Sequence, residues 1–224
     1  MADNGIILQK GRTMVRKSLS ATFALVVTLA FAGSTAFAQQ TKTLNAGITS
    51  VALSSTFVDA LTSLNVTPGT VAPTELEHGK ASFPVIGGAL DLDSAKGNIL
   101  HSGGLTLNAG NTHVALQSFI IDTTNIAKPV ITGLVSANGK LIHRIPLFDI
   151  ALPQNLTTPL HPEGWILQVK GVELTLDSAA AADLTTVFKT NVPAGLPIGT
   201  ANVTIFLHNH DWGQDVSGDW RDDN

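Results

Sequence analysis

The chain has 224 residues, 44% of them hydrophobic and 13% charged, with a formal net charge of −4 and neither cysteine nor tyrosine. Without cysteine there are no disulfides, no thiolate catalysis and no Cys-based zinc or iron–sulfur sites. No basic surplus or patch is present, which argues against nucleic acid as a partner.

The first segment reads as an address. Lys10, Arg12, Arg16 and Lys17 precede an apolar run from Leu19 to Phe37, and Ala36-Phe37-Ala38 is a small-x-small cleavage site. Basic n-region, apolar h-region and such a site make a secretory signal peptide over residues 1–38. Met14 starts a more compact version of it. The expected location is secreted, periplasmic or on the cell surface, with no membrane span after cleavage. Residues 39–224 then carry 9 basic and 16 acidic side chains, net −7, which bears on solubility more than on partners.

Residues 39–47 read as an extended lead-in or first strand. Ser54, Ser55 or Thr56 then caps a helix with apolar positions Phe57, Val58, Ala60, Leu61 and Leu64, a helical spacing. Thr67-Pro68-Gly69 ends it, and Pro73 to Lys80 reads as a loop. Phe83 to Leu107 reads as short strands broken by turns at Gly87-Gly88, Lys96-Gly97-Asn98 and Ser102-Gly103-Gly104. His113 to Asp122 is a strand. Val130–Ala137 and Lys140–Ile150 flank Asn138-Gly139, a strong hairpin signal because both turn residues need positive φ. A two-residue loop pairs Ala137 with Lys140 and Val135 with Ile142, and puts His143 on the side of Leu134. Pro153 to Gly164 is a loop, Trp165 to Leu176 an alternating strand, and Ser178 to Lys189 a helix capped by Asp177 or Ser178. Ala201 to Leu207 is a last strand, and residues 208–224 form a polar acidic tail. These counts predict a single mainly β domain over residues 39–207, an antiparallel β-sandwich with two short helices.

The histidines are the candidate site residues. His208 and His210 are two apart, so on a strand they face one side and could share a metal ion with Asp211 or Asp215 near; the alternative is that the strand has ended and both are solvated. His101 meets the Ser102-Gly103-Gly104 turn, as a ligand or as a hydrogen-bonding cap. His143 and Arg144 share a strand, where Arg144 meets an anionic ligand or pairs with Asp149 or Glu173. The competing reading of all three is structural. Asp91 and Asp93 read as solvated carboxylates. No G-x-S-x-G elbow, phosphate loop or dinucleotide fingerprint occurs, so no enzyme is expected.

Glu77-His78-Gly79-Lys80-Ala81-Ser82-Phe83-Pro84, Gly97-Asn98-Ile99-Leu100-His101-Ser102-Gly103-Gly104-Leu105 and Val172-Glu173-Leu174-Thr175-Leu176 with the Ala179–Ala182 helix resemble exported bacterial proteins of the HtaA-like group, over roughly residues 43–207. The resemblance implies a β-rich fold and haem as ligand, bound by a tyrosine supported by a histidine. With no tyrosine in the chain, His101 is left as that supporting residue or as the ligand itself. The expectation is therefore a non-enzymatic binding module of the bacterial cell envelope or exterior, for haem or another apolar ligand. The alternative is a structural or surface-assembly protein that self-associates through strand edges.

Overall fold

The computed structural model describes residues 41–207. The expected export signal, the expected acidic tail and the candidate metal pair His208 and His210 lie outside the described residues.

Eleven strands and two helices follow one another as β1 (Thr41–Leu53), α1 (Ser55–Ser63), β2 (Thr67–Val71), β3 (Glu75–Glu77), β4 (Lys80–Asp91), β5 (Gly97–His101), β6 (Gly104–Ala109), β7 (Thr112–Asp122), β8 (Val130–Ala137), β9 (Lys140–Ala151), β10 (Ile166–Leu176), α2 (Ser178–Phe188) and β11 (Pro197–Leu207). The mainly β, two-helix composition is as the sequence predicts. The two separate sheets of a sandwich are not what forms. β1 pairs with both β4 and β11, and the ring runs on through β10, β9, β8, β7 and β5 back to β4, every pairing antiparallel. The result is a closed barrel of eight strands, with β6 and β2 running on from β7 and β3 hanging on β4. Period-two alternation gives one dry face per strand in either architecture. Closure depends on β1 meeting β11, whose paired residues run from Leu53 with Gly199 to Leu44 with Leu207 at opposite ends of the domain, and no local pattern encodes that.

Both helices start at side-chain caps. The Ser54 hydroxyl accepts from the Phe57 amide at 3.0 Å, and the Asp177 carboxylate from the Ala179 amide at 2.7 Å. Each satisfies a first-turn N–H that has no partner within its helix.

Within Phe83–Leu107, two of the three expected turns are something else. β4 runs through Gly87-Gly88 with a bulge after Val85. A Cβ on Gly88 would stand 2.1 Å from the Asn98 carbonyl oxygen, and one on Gly97 2.1 Å from that of Ala89. These glycines let β4 and β5 approach rather than reverse the chain. Ser102-Gly103 is a bend: β5 lies beside Ile120–Asp122 and β6 beside Thr112–Gln117 of the same strand β7. The Thr74 hydroxyl accepts from the Gly104 amide at 2.9 Å and ties the bend. Two further stretches read as non-strand, at Thr67-Pro68-Gly69 and before Lys80, contain β2 and β3. Asp91 is 4% exposed, not solvated; its carboxylate accepts from the Asp93 amide and the Ser94 hydroxyl and closes the turn into β5.

The core is the barrel lumen, with Val114, Leu147 and Ile205 fully buried. No helix among the described residues is long and apolar enough to cross a membrane.

Candidate functional site

Among the described residues, the one histidine that the barrel buries is His101, 4% exposed at the end of β5. Its Nε2 lies 2.7 Å from the hydroxyl of Thr49 on β1, itself 3% exposed. The bond passes inside the barrel over the intervening strand β4, where Phe83 pairs with Thr49 and Val85 with His101. Nδ1 has no hydrogen-bond partner of good geometry. Burial holds the pKa down at about 4, and the carbonyls of Phe119 and Ile99 offset part of that shift. A carbonyl can only accept, so these neighbours favour the proton on Nδ1, and Nε2 then accepts from the Thr49 hydroxyl. Both ends of the bond are withdrawn from water, and the imidazole is neutral at any pH near 7.

Three phenyl rings form the wall around this pair. Phe83 and Phe119 meet edge to face at 5.2 Å, and Phe119 and Phe148 lie 6.4 Å apart, spacings at which aromatic pairs attract beyond their area. A bulge puts Phe119 there. Gln117 pairs with Leu134 and Ile120 with Thr132, so Ser118 and Phe119 together oppose Gly133. Ser118 takes φ +53° and donates its amide to the Gly103 carbonyl at 2.9 Å. A Cβ on Gly133 would come within 2.4 Å of Leu147 and 2.9 Å of Phe119. The missing side chain is the space the ring occupies.

The rings and the Thr49–His101 pair surround a chamber of about 40 Å³. Two more apolar chambers adjoin it. One, of about 50 Å³, lies between the two helices and the barrel. The other, of about 60 Å³, lies further down the lumen. A hydroxyl beside an imidazole is also the geometry of a nucleophile and its base. Here the pair is sealed, no carboxylate orients the ring among the described residues, and an imidazole with pKa about 4 is a weak base at neutral pH.

His143 and Arg144 are elsewhere. A bulge between Val135 and Ser136 shifts the expected register, so Val135 pairs with His143 and Leu134 with Arg144. Ala137 still pairs with Lys140. His143 therefore shares the inward face of Val135 rather than the side of Leu134, and there its Nε2 lies 3.2 Å from the Asp183 carboxylate of α2, with the imidazole 48% exposed. Arg144 faces outward and donates to the Thr132 hydroxyl at 3.3 Å, not to Asp149 or Glu173. Glu173 instead accepts from Thr200. The structure thus brings none of the three candidate ligand residues together. Among the described residues no group of three or more His, Cys, Asp or Glu side chains is placed to hold a metal ion.

Reading the sequence overlooked Thr49, Phe119 and Phe148. For Thr49 the one signal was period, as an inward position of β1; bulges in β7 and β9 bring Phe119 and Phe148 inward out of period.

No protein-family model and no curated protein sequence matches this chain. Its structure is similar to two solved structures from Corynebacterium glutamicum. The C-terminal domain of HtaA superposes with a TM-score of 0.58 and 11% identity, covering 75% of this chain and 99% of that one. The haem-binding protein HtaB superposes with a TM-score of 0.52 and 9% identity, covering 75% and 96%. At these identities the likeness establishes an HtaA-like fold.

Proposed function

We propose that this domain is a non-enzymatic binding module of the cell envelope or exterior, and that its ligand is apolar. The observation that carries the reading is the lumen: apolar chambers behind an aromatic wall, whose one polar pair, Thr49–His101, is closed on itself. The HtaA-like fold, shared with a protein named for binding haem, supports it.

Haem is the ligand that this likeness favours, and the residues do not fit it in the lumen. Sites for ligands of drug size or larger take about 300–1,000 Å³, against about 40 to 60 Å³ per chamber here. The chain has no tyrosine to ligate iron, and His101 is sealed against Thr49. Haem binding would fall to an exposed imidazole such as His143, beside α2. An apolar ligand other than haem is the first reading.

Self-association is the second, on a different surface from the strand edges expected. Barrel closure removes most of those edges; β2 and β3 keep short ones, as do β9 before Phe148 and β10 before Glu173, which do not pair with each other across the β9–β10 seam. An apolar band does cross the outer wall: Ile86 on β4, Ala46 and Ile48 on β1, Phe206 on β11 and Trp165, whose ring stacks on Phe206 at 5.1 Å.

The test is a panel of haem, naphthalene and 1-octanol titrated into the purified protein, followed by calorimetry, melting temperature and, for haem, the Soret band. Saturable binding of any of the three with a raised melting temperature is the expected result. Failure of all three overturns the module reading and leaves self-association, read by sizing against concentration. A shifted Soret band lost in His143→Ala and kept in His101→Ala would put haem on the surface.

A further inference from the structure

The three chambers are in line. The helix-side chamber lies under Phe57 and Leu61 of α1 and Leu184 and Phe188 of α2. It shares Leu105, Phe148 and Ile198 with the His101 chamber. That chamber shares Ile121, Ile131 and Leu174 with the third. The third ends against Ile126, Leu156 and Leu160, from the two connections that close the other end of the barrel. Two partitions of three apolar side chains each therefore separate a row of voids running from the helices to the loops.

An eight-stranded barrel has an interior that side chains just fill, or that holds one small ligand. Protein interiors carry few voids larger than a water molecule. Three in a row is the second case, partly collapsed. None of the chambers offers water the two to four polar partners it needs, and voids of this kind stay dry and take hydrocarbon. A row of narrow voids behind movable Leu, Ile and Phe side chains suits a molecule one methylene wide, not a flat macrocycle.

We propose that the lumen is a binding site for an unbranched aliphatic chain, which enters from one end, displaces the partition side chains and runs past the Thr49–His101 pair with its polar head left outside. This rests on the module reading above and names the class of ligand. The pair has a role in it: Nε2 and the Thr49 hydroxyl satisfy each other, so neither of them holds water in the middle of the path.

The experiment is 1-octanol titrated into the purified protein, with two variants that fill the path. Ala81, fully buried, lines the His101 chamber, and Ala201, 2% exposed, lines the third. Ala81→Leu and Ala201→Leu should each weaken octanol binding at least tenfold. Where a variant fails to melt cooperatively, nuclear Overhauser contacts from the octanol chain to Ile131 and Leu174 methyls in the unaltered protein decide. No saturable octanol binding, unchanged affinity in a folded filled variant, or contacts confined to the surface overturns the proposal. Haem or naphthalene binding with octanol excluded would overturn the aliphatic site alone and leave the module reading standing.

Discussion

His101 and His143 sit in strands of the same barrel, and both are on inward-facing positions. One is 4% exposed and bonded to a neutral hydroxyl; the other is half in water against a carboxylate. The difference comes from position along the strand. His101 ends β5 where the wall bends and α1 and α2 lie beyond, so burial decides its chemistry. His143 lies near the β8–β9 hairpin, where both faces of β9 reach solvent. A histidine's role is thus set by the depth of its place in the barrel, which residue type and strand periodicity leave open.

The largest expected effect tests the wall that makes His101 deep. Phe119→Ala removes a ring packed on Phe83 and Phe148 and leaves a hole beside Gly133. Such truncations cost about 3–5 kcal/mol. Urea denaturation should show that loss, with the slope of the transition unchanged. A loss under about 1 kcal/mol would mean that the wall collapses around the gap and that the chamber is not rigid.

The second test is pH. The folded pKa of His101 is about 4, against 6.5 for the free side chain. Between those values the unfolded chain binds a proton that the folded chain refuses, so stability rises with pH. Full stability is present above about pH 6.5 and falls through the window down to pH 4, by about 3 kcal/mol. Acidic groups titrate over part of the same range, so the measurement is a difference. Melting curves of the wild type and His101→Leu, taken from pH 7.5 to 4, should converge as pH falls. Parallel curves would show that His101 is hydrated and titrates normally.

How much of this was legible in the sequence follows one rule: signals carried by a few neighbouring residues survived. Ser54 and Asp177, each among the alternatives read for its helix, are the caps, because a cap is a bond between residues two or three apart. Asn138 and Gly139 both take positive φ in the β8–β9 turn, as that dipeptide predicts. What failed was long-range or off by one residue. Closure joins β1 to β11, and the Thr49–His101 bond joins residues 52 positions apart. One inserted residue in β9 moved His143 to the opposite face from the one expected, and one in β7 turned Phe119 inward. Period-two reasoning has no defence against a bulge, since one extra residue exchanges the two faces.

The capping bonds offer a smaller test, on the helices that cover one end of the row of chambers. Asp177→Ala removes the acceptor for the Ala179 amide and should cost about 1 kcal/mol. Because α2 supplies Leu184 and Phe188 to the helix-side chamber, hydrogen exchange in α2 should quicken more than in β7. Equal acceleration in both would mean that the helix and barrel open only together, which leaves α2 no independent motion to admit a ligand.

The smallest expected effect is the sharpest contrast with His101. Asp183→Asn deletes the charge that faces His143 across 3.2 Å of partly solvated space. Exposed pairs of this kind are worth about 0.2–1 kcal/mol and are screened by salt. The substitution should therefore move the melting temperature little, and less again at 1 M salt. If instead it destabilised the protein as much as Phe119→Ala, the contact between β9 and α2 would be a structural clasp, and His143 would not be free to meet a ligand. The imidazole's accessibility, on which any surface haem site depends, thus stands or falls with a weak bond, just as the sealed lumen depends on a strong wall.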